Sequence, residues 1–200
     1  MSDTSASAVT AAPAPPGKSG VALARVQRRA AEAVLGVLAG ANADSALARV
    51  DSTGFDGATR AALTDLTYGT LRFLGETRGI ARLFVHQKPE PLIEALLWIA
   101  IYQLRHSKTA SHVVVSQAVA AVAEVNRAAK GFANAVLRNY LRGPEEALTR
   151  ACERDEALWN HPSWWIGRLQ QEQPEWWEAI LRGGNGSGPL TLRVKRRRTT

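Results

Sequence analysis

The chain has 200 residues and 46% apolar content, enough for one well-cored domain with an appendage and too much for an extended disordered protein. Lys and Arg outnumber Asp and Glu by 25 to 18, and a sequence pI near 10.2 favours a polyanionic partner such as RNA, DNA or an acidic membrane surface. The single cysteine, Cys152, excludes an intramolecular disulfide and a cysteine-rich zinc site, and no apolar run reaches membrane-spanning length, so the expectation is a soluble cytoplasmic protein with no membrane segment and no metal.

Residues 1–20 are Ala, Ser, Pro and Gly rich and bury too little to offset their ordering entropy, which predicts a disordered lead. From Val21 an amphipathic helix is expected, with Val26, Ala30, Ala33, Val34, Val37 and Leu38 on one side and Arg25, Arg28, Arg29 and Glu32 on the other. Three arginines so close repel one another unless something anionic sits nearby. Gly40 and Asn42 stop this helix, and Ser45 to Val50 predicts a short second one. A long run begins near Gly57, with Ala62, Leu63, Leu66, Phe73 and Leu74 as its apolar positions. It is expected to break at Gly69, and at Gly75 or Gly79, with Gly69 a candidate helix-crossing point.

Pro91 suits the first position of a helix that is apolar nearly all round, PLIEALLWIAIYQLR, read as the central helix of a bundle. Ser111 is placed to cap a helix from about His112 to Ala128, separated by Gly131 from the next, GFANAVLRNYLR. In that stretch Phe132, Val136 and Tyr140 recur at every fourth residue, as do Ala133, Leu137 and Leu141. Lys130, Asn134 and Arg138 form a polar stripe suited to a phosphate backbone. Asn134 is also a candidate structural amide holding two helices together. Gly143 and Pro144 end this helix, and PEEALTRACERDEAL predicts another, with Glu145 and Glu146 in its first turn. HPSWWIGRLQQ and PEWWEAILR follow as short tryptophan-rich helices. GGNGSG, 183–188, is read as a flexible connection, and PLTLRV, 189–194, as the one strand.

No complete catalytic constellation emerges. The GGNGSG loop follows a helix and precedes a strand, the reverse of a dinucleotide fingerprint. Cys152 lacks a histidine or proline partner, the four histidines have no metal-ligand spacing, and Asp65 and Glu94 have no carboxylate partner. No catalytic, cofactor or metal residues are therefore assigned. What remains is nucleic-acid binding through Arg25, Arg28, Arg29, Arg72, Lys130 and Arg138, which gives affinity and position without sequence reading.

Several segments together resemble one family. GFANAVLRNYLR is similar to the signature helix shared by NusB-like domains and the N-terminal region of the bacterial 16S ribosomal RNA cytosine-C5 methyltransferases of the RsmB (Fmu, Sun) family. DLTYGTLR at 65–72, WIAIYQLRH at 98–106 and SHVVVSQAV at 111–119 fit further motifs of that family in the same order, while HPSWWIGRLQQEQPEWWEAIL and PLTLRV resemble its lead into the catalytic part. The resemblance implies an all-α, NusB-like helical bundle that helps bind 16S ribosomal RNA. Short helices and one isolated strand would then lead into an α/β methyltransferase domain that this chain does not contain. The units expected are a lead over 1–20, an RNA-binding bundle over 21–143, a helical linker over 144–188, and a first strand with a basic tail over 189–200. It also implies S-adenosylmethionine as cofactor for the full-length enzyme, none for this chain, and no methyl transfer by this chain alone. The alternative is a NusB-like antitermination or protein-interaction module without chemistry.

Overall fold

The computed structural model describes residues 23–186, so the lead over 1–20 and the strand and basic tail expected over 189–200 lie outside the described residues. Those residues fold as eleven α-helices and one 3-10 turn, with no strand among them. The first helix, α1 (Leu23–Leu38), buries Ala24, Val26, Ala30, Ala31, Ala33 and Val34, and ends before Gly40, whose φ of 103° suits only glycine comfortably. In α2 (Ala43–Arg49) the Asn42 side chain caps the start, its Oδ1 accepting from the Ser45 N–H at 2.8 Å. Asp56 does the same for α3 (Gly57–Arg72) through Thr59 N–H.

The long run splits into α3 and α4 (Leu74–Phe84) at Phe73, not at a glycine. Gly69, Gly75 and Gly79 stay helical because each admits a neighbour. A β-carbon on Gly69 would enter the Tyr102 ring, one on Gly75 would overlap the Glu156 carbonyl, and one on Gly79 would lie 2.8 Å from the Ala157 Cβ. Gly69 is thus the crossing point the sequence suggests. Ala62, expected on the buried stripe, is exposed; Leu63, Leu66, Thr67 and Thr70 face inward instead.

Pro91 opens α5 (Pro91–His106), where its missing N–H costs nothing. This helix is the centre of the bundle, packed by α1, α3, α4 and the two helices that follow, α6 (Ser111–Val125) and α7 (Lys130–Arg142). Ile93, Leu96, Leu97, Ile99 and Ile101 are each at most 2% exposed, and full burial of such a side chain contributes about 1.5–3 kcal/mol. Ser111 is the first helical residue of α6 and makes no capping bond. The break before α7 falls at Asn126, whose Oδ1 accepts from Ala128 N–H at 3.0 Å and nucleates the 3-10 turn Arg127–Ala129; Gly131 lies inside α7.

The helix expected over 144–158 is two: α8 (Pro144–Ala151) and α9 (Asp155–Trp159), separated at Cys152–Arg154 so that both pack on α4. Asn160, at φ 55°, ends α9 and its Oδ1 accepts from Glu76 N–H at 2.8 Å, satisfying a donor in the first turn of α4. α10 (Ser163–Glu172) and α11 (Trp177–Gly184) close a small second core of Trp159, Ile166, Leu169 and Leu181. Gly183 and Gly184, expected in a flexible connection, belong to α11.

Two polar clusters sit inside the bundle. Gln27 Nε2 of α1 donates to Gln103 Oε1 of α5 at 2.6 Å, both side chains being buried. Glu76 receives Arg105 Nε at 2.7 Å and contacts His106 Nε2 at 3.0 Å, while the His106 ring stacks on Phe73. Burial pushes the Glu76 carboxyl up, but His106 and Arg105 outweigh it and hold it below the usual glutamate value.

Candidate nucleic-acid interface

The arginines of α1 are all accounted for within the protein. Arg25 Nη2 and Arg29 Nη2 reach Asp51 Oδ2 at 3.1 and 3.3 Å, Arg28 Nε and Arg29 Nη1 reach Glu32 at 3.2 and 2.7 Å, and Arg28 Nη1 reaches Glu124 Oε2 at 3.4 Å. Arg25 also lies over the Phe55 ring, 5.1 Å from its centroid. Asp51 is the hub: Thr53 hydrogen bonds first, then Arg25, hold its carboxyl down to about 2. The anion that three crowded arginines demand is therefore supplied by α1 itself, by the loop after α2 and by α6.

Arg72, at the end of α3, is exposed and lies within electrostatic reach of Tyr102 on α5. It lines neither of the hollows that hold Lys130 and Arg138.

Lys130 and Arg138 are brought together. The exposed seam between α6 and α7 carries two adjoining hollows of about 530 and 340 Å³ that share Ser116 and Val119 in their walls. One end holds Arg127 and Lys130 with Glu124; the other holds His112, Asn134 and Arg138. The floor is apolar, made by Val115, Val119, Ala120, Ala123 and Leu141. Helical spacing places Lys130, Asn134 and Arg138 on one side of α7, and the valine-rich face of α6 supplies most of the floor.

Asn134 does not join two helices. Its Oδ1 accepts from Arg138 Nε at 3.1 Å within α7, which fixes the guanidinium over the groove and leaves its other N–H donors outward. Among the described residues, Arg127, Lys130 and Arg138 have no carboxylate within ion-pair distance; Glu124, the acid in the groove, already serves Arg28. Arg127 escaped the sequence reading because it sits in the 3-10 turn, off the i, i+4 ladder of α7; the NRAAK stretch that begins at the Asn126 cap was the available signal.

The groove has the parts of a single-strand binder: cations for phosphates, an apolar floor for base or ribose faces, and an oriented amide. Nucleophilic chemistry finds no support at Cys152. Burial, then the Glu76 charge, push its thiol pKa up, away from the reactive thiolate. Among the described residues no group of three or more His, Cys, Asp or Glu could hold a metal, and no helix is long and apolar enough to cross a membrane.

Comparison with known proteins gives two matches along the chain. Residues 22–142 match the NusB family, and residues 161–200 match the family described as "Methyltr_RsmF/B-like, ferredoxin-like domain". Among curated relatives, the ribosomal RNA small subunit methyltransferase B of Serratia proteamaculans is 37% identical over 142 residues, 68% of this chain and 33% of its own length. That of Pseudomonas syringae pv. tomato is 36% identical over 144 residues, 69% of this chain and 32% of its own. A probable ribosomal RNA small subunit methyltransferase B of Coxiella burnetii is 32% identical over 136 residues, covering 66% and 32%. The chain thus spans about a third of the length of the curated relatives it matches.

Proposed function

This chain belongs to the NusB family, and on that premise we propose that it is the RNA-gripping N-terminal portion of an S-adenosylmethionine-dependent methyltransferase acting on carbon 5 of a cytosine in 16S ribosomal RNA. The observation that carries the reading is the α6–α7 groove, where Arg127, Lys130 and Arg138 face solvent above an apolar floor, with no carboxylate partner among the described residues. A cation with no internal partner loses nothing when a phosphate arrives. One already paired must first give up its carboxylate. Lys130 and Arg138 therefore make the direct contacts, joined by Arg127. Arg25, Arg28, Arg29 and Arg72 contribute to the field that draws RNA in.

The described residues do not fit S-adenosylmethionine. Gly183 and Gly184 close α11, and no strand-to-helix glycine turn stands among those residues to cradle the cofactor. Cofactor binding and methyl transfer are assigned to other parts of the whole protein, and residues 1–200 bind RNA without methylating it. The division of labour places the grip in the bundle over 21–143, followed by the helices over 144–188 and the methyltransferase region beginning at 189. The whole protein works in the cytoplasm, where its ribosomal substrate is made.

The test is the affinity of the full 200-residue chain for a single-stranded segment of 16S ribosomal RNA as a function of salt. A linear fall of log affinity with log salt, with a slope reduced in Lys130→Ala/Arg138→Ala, is expected. Binding that ignores salt would overturn the reading in favour of a protein-interaction module.

A further inference from the structure

A second cavity, of about 310 Å³, opens where α4 meets α9 and the start of α10. It shares no residue with the α6–α7 groove. Arg78 and Arg82 reach it from α4 and Arg154 from the turn before α9, while Leu38, Leu71 and Leu74 form an apolar wall and Pro162 a rim. Among the described residues none of these three arginines has a carboxylate within ion-pair distance. Arg78 is held half-buried with its guanidinium over the Trp98 ring, 4.5 Å from the centroid.

The acids nearby are accounted for. Glu156 lines the cavity, held there by its Oε1 accepting from Ser163 Oγ at 2.6 Å and from Ser163 N–H at 3.3 Å, and it acts on Arg78 and Arg82 through its field without touching either. Glu94 reaches Arg78 only through its field. Of the cavity's other polar side chains, Asn160 Oδ1 is engaged by Glu76 N–H and His161 Nδ1 faces the Trp159 carbonyl at 2.6 Å. Three cations thus face a single lining carboxylate across one hollow, which leaves positive charge in excess. Like charges gathered this closely are unfavourable unless an anion joins them. The cavity is of small-ligand size, and guanidinium forks beside an apolar wall match a phosphate with its attached nucleoside.

We propose that this cavity holds one unstacked nucleotide of single-stranded RNA, with Arg82 and Arg154 on its phosphodiester and the Leu38–Leu71 wall against its base. The site rests on the RNA-binding reading for the source of its nucleotide, yet is built from other elements than the groove. It adds a second hold at the junction of the bundle with the helices that follow. Arg78, fixed on Trp98, acts as a stationary charge behind the two exposed arginines.

The probe is a six-nucleotide single-stranded RNA without terminal phosphates, titrated calorimetrically into the full chain carrying Arg127→Ala/Lys130→Ala/Arg138→Ala, so that the groove cations do not contribute. Binding is expected to persist in that background. Adding Arg82→Ala/Arg154→Ala should weaken it about tenfold and lower the magnitude of the salt slope by about 0.7 for each phosphate no longer neutralised. Both side chains are exposed, so the fold should hold, and Arg82→Gln/Arg154→Gln serves if the alanine variant melts early. No hexamer binding in the groove-free background, or an affinity unmoved by the arginine changes, would overturn the proposal. Cytidine 5′-monophosphate binding as tightly as the hexamer would also overturn it, assigning the cavity to a free nucleotide. Failure of the groove reading appears separately, as wild-type affinity unaltered by Lys130→Ala/Arg138→Ala alone.

Discussion

Two basic faces of this bundle use the same residue types to opposite ends. On α1, Arg25, Arg28 and Arg29 look from the sequence like the strongest phosphate binders, yet each is already ion-paired with Glu32, Asp51 or Glu124. On the α6–α7 seam the cations are fewer and more widely spaced, but they are open above an apolar floor. Local density of positive charge is therefore a poor guide to which cations the fold leaves without a counter-charge. What matters is whether the fold has already supplied the counter-charge.

The contrast can be broken most directly at the groove. Arg127→Ala/Lys130→Ala/Arg138→Ala should weaken binding of single-stranded RNA about 100-fold at 0.1 M salt, since each phosphate of a single strand left without its cation takes about 0.7 from the slope, or roughly fivefold at that concentration. Its thermal melt should match the wild type. The mirror experiment, Arg25→Ala/Arg28→Ala/Arg29→Ala, should move RNA affinity by less than about fivefold while lowering Tm by roughly 2–4 °C, because it dismantles an ion network and leaves Asp51 and Glu32 unpaired. A large affinity loss with an unchanged melt would reverse the roles of the two faces. Glu124→Gln sits on the border: it removes the acid from the groove and frees Arg28, and should raise RNA affinity about threefold, read by fluorescence anisotropy.

The smallest effect is in acid. Asp51 has a folded pKa of about 2, below its ordinary 3.8, so its contribution is fully present above about pH 4 and fades as pH falls through 2. The Tm difference between the wild type and Asp51→Asn should accordingly be the same at pH 7 and pH 5, and shrink towards pH 2.

Most helices were legible because the signals that set them are local. Examples are the stop at Gly40, Pro91 at a first position, and the all-apolar run of α5. The misplacements share a cause. Phe73 ends α3, and Cys152–Arg154 separates α8 from α9, because neighbouring helices must reach α4, a demand that no short window contains. Gly131 carried a stop signal, yet the Asn126 side chain had already made the turn. The site divides in the same way. Lys130 and Arg138 were readable from one helix's periodicity, whereas the neutralisation of Arg28 by Glu124 spans 96 positions in sequence and exists only once α1 and α6 have packed. Both α6 and α7 supply the groove's floor and its polar ends, so neither helix alone announces it.

The seam between α4 and α9 has one more consequence. Gly75 lets the Glu156 carbonyl rest against α4 where no side chain could fit, and Asn160 pins the exit from α9 to the amide of Glu76. Backbone lying on backbone leaves no compressible side chain to take up an error in angle. The polypeptide from His161 onward is thereby launched on a fixed bearing from the bundle, as from a surveyed mark. A Gly/Ser tether of the same length would let that direction wander.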